Sequence, residues 1–517
     1  MTGPIPPRPD LDEGTWVSGP PRETVALSRY GTPPVGLKRI AIVVSLLALG
    51  LAADLVTRGL PGIGIPVVAI SGSFLLVGVA RPRRAGLVLL SLACVFTLPV
   101  ALRADPLIAT LDVGAALALA VLAASYAQGG SPLTDGVRAW IRRGAGVLGA
   151  TRPGLAFFAP RPGSLRTDRA GRVVRTTMIV GAILLALGVV LASADAVFAR
   201  LVTTPLRWNL SGSDLLQHIA RTAFLAGAAA VLVAYATGKH ASRQAASVEV
   251  GLSLVGWEWV TILGSVCALF AVFATIQFEY LFGGASRVMS VPGLSYAEYA
   301  RSGFAQMVLA AGMSLGLIAL GWVAWPRAGI ADRRAFKLLT EVLLALNLLV
   351  LVSAFKRLTL YEGAYGWTFT RILAHTIILW MSGVIVLALL AVLLAKGSWV
   401  VPAATALGLV ALMGLNVVNV GAFIADRNIE RYHATGKLDV GYLSSLSEDA
   451  IPRLVEALPT LPDDVRSALA AGLRCSHHEL PDQAATSWNL GRARALLSLS
   501  SASLQAPGPG EVCYPSG

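Results

Sequence analysis

The chain has 517 residues, 55% of them hydrophobic and only 14% charged, with a mean hydropathy of +0.68. Soluble domains carry about 25% charged residues, so this composition excludes an ordinary soluble protein and indicates a membrane protein. The net charge of +13 would suggest a nucleic-acid partner in a soluble chain. Here the basic residues lie in short loops between apolar runs, with no nucleic-acid-reading motif beside them, so they point to membrane orientation and to no nucleic acid.

Residues 1–37 are rich in proline and glycine and carry mixed charge without an apolar core. They read as a disordered cytoplasmic arm, not a cleavable signal. The mostly arginine basic set fits a bacterial chain with a high-GC coding bias.

A spanning helix needs about 20 apolar residues. Eleven candidates follow, near 38–56, 60–80, 85–102, 107–127, 174–193, 215–237, 252–277, 302–325, 338–355, 369–395 and 398–420. They divide the chain into an N-terminal four-span segment (38–127), a basic cytoplasmic loop (128–173), a seven-span core (174–421) and a tail (422–517). The expected class is all-α, a polytopic membrane helix bundle with a small helical domain after it. With the N terminus inside, 24 basic residues fall in inside segments and nine in outside loops. That asymmetry predicts a multi-pass protein of the cell (plasma) membrane, N terminus cytoplasmic and C terminus extracytoplasmic.

The polar residues cluster at the outer ends of the spans. "LSYAEYARSGF" holds Ser295 and Glu298, a capping box at a helix start, with Tyr296 and Tyr299 at interface depth. Arg301 exceeds what a helix entry requires. "KRLTLYEGAYGWTFTRILAH" holds Tyr361, Glu362, Tyr365, Arg371 and His375; the last two are four residues apart and share a helix face. Asp195 and Glu279 lie at the same predicted depth, as does Asp426. The candidate site is this outer polar cluster: Asp195, Glu279, Glu298, Arg301, Tyr361, Glu362, Tyr365, Arg371 and His375, with the two arginines held by carboxylates. An aromatic belt with interhelical hydrogen bonds explains the same residues without any ligand. Asp54 and Asp112 lie inside apolar runs, and Glu258 and Glu341 near inner helix starts. An intramembrane carboxylate is a proton-relay or ion-site candidate, whereas one near a helix start also suits the dipole.

In the tail, Thr460, Pro462 and Asp463 predict a helix start, Gly472 a helix end, and Leu454, Leu458, Val465 and Leu469 an apolar face. Cys475 and Cys513, both in the tail, are expected to form a disulfide in an oxidising compartment. Cys94 and Cys267 read as small core residues. "CSHHEL" matches no standard metal spacing, and no metal or cofactor is expected.

At these residues the sequence resembles a family of multi-pass bacterial membrane proteins that carry an uncharacterised domain. The resemblance rests on Ser193 to Phe198, Phe278 to Gly284, Tyr296 to Phe304, Leu360 to Arg371, Asn428 to Arg431, Asp439 to Leu443 and Leu446 to Pro452. It covers residues 175–500 and implies architecture, not an activity. Three functions stay open: a transporter or channel-like envelope protein; a non-catalytic sensor, scaffold or partner subunit whose outer tail meets an envelope ligand or protein; and a membrane-embedded enzyme acting on lipid or glycan. No hydrolase, metalloprotease or nucleotide-binding motif favours the enzyme, and a non-enzyme is expected. The lipid bilayer is the one partner that composition requires.

Overall fold

The computed structural model describes residues 37–135, 137–158, 212–238, 256–282, 304–324, 330–477 and 485–504. It is helical with no strand among the described residues. In chain order the apolar helices are α1 (Leu37–Val56), α2 (Gly64–Ala80), α3 (Arg84–Thr97), α4 (Pro99–Leu102) and α5 (Pro106–Tyr126). Two short basic helices follow, α6 (Val137–Gly149) and α7 (Thr151–Leu155). Then come α8 (Gly212–Thr237), α9 (Gly256–Phe282), α10 (Phe304–Ala324), α11 (Ile330–Tyr365), α12 (Phe369–Leu393) and α13 (Val400–Val418). Helices occupy ten of the eleven expected spans. The eleventh, 174–193, lies outside the described residues.

Two of the expected spans depart from their predicted bounds, and the loop after 128 holds helices. The third breaks at Leu98 because Pro99 has no N–H to continue the ladder, and α4 restarts with that proline at its first position. The ninth is far longer than 338–355. At 36 residues, α11 is about 54 Å long, well beyond a hydrocarbon layer of about 30 Å. Its two ends bear Arg333, Arg334 and Lys337 on one side and Glu362 with its neighbours on the other. The basic loop after 128 contains α6 and α7, which pack on the ends of α5 and α8.

Among the described residues two large apolar cores lie among the spans, beside a small cluster of Trp259, Leu263 and Phe336 between α9 and α11. One joins α1, α2, α3, α5 and α8 through Leu46, Leu76, Phe96, Leu119 and Val233. The other joins α9 to α12 through Met307, Leu343, Leu351, Ile378 and Ile385. Helix α13 touches both, lying against α12 and sending Leu409 and Leu412 to the first core. The large apolar residues left exposed, such as Phe74, Phe224, Leu269 and Val410, mark lipid-facing surface. Among the described residues eight helices are long and apolar enough to cross a membrane.

The tail forms a third core. It comprises α14 (Val420–Thr435), α15 (Val440–Ser444), a 3₁₀ turn at Glu448–Ala450, α16 (Ile451–Ala457), α17 (Asp463–His477) and α18 (Leu490–Ser501). Leu454, Leu458 and Leu469 are buried there and Val465 packs alongside, as the spacing predicted. Gly472 does not end a helix. It lies within α17, where a Cβ would stand 2.8 Å from the Ser444 side chain, so its role is close approach.

Hydrogen bonds sort the loops into two ends. At one end Arg39 donates to the carbonyls of Ala156 and Phe157 at 3.0–3.3 Å. Gln128 there donates to Ala80 and Ala236. At the other end Ile63 N donates to the Trp488 carbonyl at 2.9 Å, and α14 meets the loop after α11. The start of α1 and the tail thus occupy opposite ends of the bundle.

Candidate functional site

The tail is fastened to the spans by buried polar groups. Asp449, 4% exposed, accepts the backbone N–H of Ala104 at 2.7 Å and of Asp105 at 3.2 Å. Asp105 in turn caps α5, accepting from Leu107 N and Ile108 N at 3.0 Å each. Asn489, fully buried, donates to the carbonyls of Val100 and Arg103 at 2.9 and 2.7 Å. Arg492 donates to Pro61 and Ser487 carbonyls. Burial pushes the Asp449 carboxyl up to about 6 and raises Asp105. It also lowers Arg492, since a desolvated charge is disfavoured.

The loop after α11 is clamped in the same way. Asn428 on α14 donates to the Trp367 carbonyl at 2.8 Å and accepts the Trp367 N–H at 3.0 Å. Arg431 donates to Ala364 and Gly363. Between them Gly366 holds φ +86°, and a Cβ there would collide with the Asn428 side-chain oxygen. The left-handed turn and the close approach both require glycine.

Between tail and spans lies a cavity of about 700 Å³. Leu60, Asp105, Pro106 and Phe369 come from the span side, and Gly421 and Ile424 from α14 at the start of the tail. Tyr442, Ser445, Leu446, Ser447, Glu448, Ser476 and His477 come from the tail. Tyr442 accepts the Phe369 N–H at 2.9 Å, which sets the start of α12 against the tail. His477 lies 3.1 Å from the Ser444 carbonyl, and burial lowers its pKa, so its neutral form is favoured. Ser447 stands beside Asp105 and favours its ionised form, but its buried hydroxyl closes no well-formed hydrogen bond. A pocket lined by both apolar and polar groups, where the tail meets the starts of α5 and α12, suits a small amphipathic ligand.

The candidate cluster is only partly within view. Asp195, Glu298 and Arg301 lie outside the described residues, and Glu279 falls on α9. The other five meet where α11 ends and α12 begins, beside the pocket. Among the described residues, Arg371 pairs with no carboxylate. Its guanidinium lies over the Tyr361 ring, 4.1 Å from the centroid, and Nη1 donates to the Gly366 carbonyl. Glu362, 2% exposed, is taken instead by His375, with Nε2 2.7 Å from Oε2. The shared face of Arg371 and His375 is real, since both turn toward the end of α11. The tighter geometry gives the carboxylate to the imidazole, and the aromatic face receives the wider guanidinium. Tyr365 stacks on Tyr361 at 5.0 Å and is half exposed.

The spans hold two further carboxylates that the sequence singled out without partners. Asp54, fully buried, is met by His218 Nδ1 at 2.7 Å, Arg58 at 3.0 Å and Arg221 at 3.3 Å, which joins α1 to α8. Asp112, also fully buried, accepts from Asn416 Nδ2 at 2.9 Å, which joins α5 to α13. Sequence reasoning missed the docking set of Asp105, Asp449, Asn489 and Arg492. Its one visible signal was the "LSEDAIP" stretch, quoted for resemblance and given no role. Cys475 is disulfide-bonded and Cys94 and Cys267 are free, while Cys513 lies outside the described residues. Among the described residues no group of three or more histidine, cysteine or acidic side chains is placed to hold a metal.

Fold and site together define an all-helical polytopic membrane protein with a docked helical tail. The chain belongs to the DUF4153 family, a domain of unknown function, whose family model matches residues 85–457. That match opens on α3, earlier than the motif-based resemblance reached, and closes at the end of α16. No curated protein and no solved structure matches the chain.

Proposed function

We propose that this is a multi-pass protein of the bacterial plasma membrane, with its N terminus in the cytoplasm and its tail outside, acting as a non-catalytic sensor or partner subunit. The ligand site is the cavity between tail and spans. That cavity carries the reading: a ligand there touches the tail and the starts of α5 and α12 at once, so binding can bias the tail against the membrane domain. The buried carboxylates of the spans are engaged in helix-to-helix pairs, which supports a packed bundle more than an open conduction path. One observation favours transport as a second reading: Asp112 lies seven residues below the pocket-lining Asp105 on one helix, about 10 Å deeper.

The test is complementation of a deletion strain. Ser476 is exposed on the pocket wall, so Ser476→Trp should fill the cavity without disturbing the core. It is expected to reach wild-type abundance and fail to restore the phenotype. Full complementation at normal abundance overturns the pocket as the functional site. Changed uptake of an envelope solute into the deletion strain, restored by the wild type, selects transport instead.

A further inference from the structure

We infer that Asp112 is a proton-binding site within the membrane, and that it holds its proton against Asn416. Two buried atoms of this pair are unmatched. Asp112 and Asn416 are 0% and 4% exposed. Asn416 Nδ2 donates to Asp112 Oδ1 at 2.9 Å and to the Leu412 carbonyl at 3.2 Å. Both donors face carbonyl-type oxygens, so the amide orientation is fixed; a flipped amide would set oxygen against oxygen. That leaves Asp112 Oδ2 and Asn416 Oδ1 buried without a hydrogen bond. Both are acceptors, on two side chains already joined through their other atoms. Two orphaned acceptors on one bonded pair lack one hydrogen.

A proton on Asp112 Oδ2 supplies it. A carboxylic acid is a donor as well as an acceptor, and an acid facing a carboxamide closes two parallel bonds, N–H to acid and O–H to amide. The surroundings demand the same state. A bare carboxylate in the apolar interior is strongly disfavoured unless a cation meets it. Asp54 is met by two arginines and a histidine. Among the described residues Asp112 has no ion-pair partner, and its one polar contact is Asn416. The nearest basic side chain by connectivity, Arg103, is committed to the backbone carbonyls of Asn416 and Val417. A hard metal cation would need about six oxygens, whereas two are open here.

The pair links α5 to α13, and both helices run on to the pocket wall, at Asp105 and Pro106 and, through α14, at Gly421. Loss of the proton would leave an unmatched buried charge at that contact and drive the two helices apart. The site therefore couples protonation to the packing beneath the tail. It stands whether or not the pocket binds a ligand.

Infrared difference spectroscopy of the full-length protein in lipid nanodiscs tests it. At neutral pH the wild type should show a carboxylic C=O band that moves on exchange into D₂O and is missing from Asp112→Asn. Because an amide can make the same two bonds, that variant should unfold at the wild-type temperature. Asn416→Leu removes the hydrogen bond and should shift the band to higher frequency, which decides the matter even if the first variant fails to fold. Identical wild-type and Asp112→Asn spectra, or a band unmoved in Asn416→Leu, overturn the inference. A band abolished by replacing potassium with sodium also overturns it, in favour of a cation site.

Discussion

Asp449 is the residue on which docking of the tail turns. Its carboxyl binds two backbone N–H groups 344 and 345 residues away, and Gly491 on α18 packs so closely that a Cβ would strike its oxygen. Burial places its pKa at about 6 against an ordinary 3.8. A raised acid favours the docked state most when protonated, so this contribution is full below about pH 4 and is lost as pH rises through 6. The shift is worth on the order of 3 kcal/mol. Asp105 is raised too and acts in the same direction. Arg103 on the loop offsets part of the burial. His477 acts oppositely: its lowered pKa means that docking loses stability as pH falls through its ordinary value of 6.5. In the wild type, protection of α18 from proteolysis should therefore change little between pH 6.5 and 5, as the two limbs oppose. Asp449→Asn removes one limb, and its protection should fall steadily on acidification by several-fold. A variant with the wild-type profile would show that Asp449 does not titrate at the junction. None of this was legible in the sequence, because nothing local marks an aspartate whose partners lie at the other end of the chain. The pairing of Glu362 with His375 was half legible: spacing gave the shared face, but it could not say which basic group would take the carboxylate.

At the scale of elements, hydropathy was enough to locate ten spans, because the bilayer sets one length and one composition for each. Boundaries failed where a single residue overrode the window, as Pro99 does, or where a helix outran the bilayer, as α11 does. The tail helices were legible from their leucine spacing, yet Gly472 misled because a glycine serves equally to end a helix and to admit a neighbour. The C-terminal staple remains a proposal. Cys475 sits near the end of α17, two residues before the pocket-lining His477, and a bridge to Cys513 would close a loop of about 40 residues. Such a loop is worth about 3–4 kcal/mol in the chain-entropy model. Non-reducing peptide mapping of protein from intact cells should recover one cross-linked peptide containing both residues, and thiol reduction should lower the unfolding temperature of the tail. Recovery of Cys475 joined to a cysteine other than Cys513 refutes the pairing.

At the scale of the whole molecule, the bonds described above leave a parity. The start of α1 lies with α7 and the loop after α5, through Arg39 and Gln128. The tail lies with the loops after α1, α4 and α11, through Trp488, Asn489 and Arg431. The described path from the start of α1 to the tail joins opposite ends of the bundle, which supports an odd number of crossings between those two points. Geometry alone leaves the absolute direction open; the exposed Arg81, Arg83, Arg84 and Arg152 at the arm end support the proposed cytoplasmic placement of that end, since retained positive charge favours the cytoplasmic side. Exposed Lys437 at the tail end and Arg152 at the arm end are the positions to probe. In intact cells Lys437→Cys should react with a membrane-impermeant maleimide, while Arg152→Cys should react only after permeabilisation. The reverse pattern would keep the odd parity and invert the protein. Equal labelling of both in intact cells would contradict the parity itself, and with it the placement of the tail opposite the N-terminal end of α1.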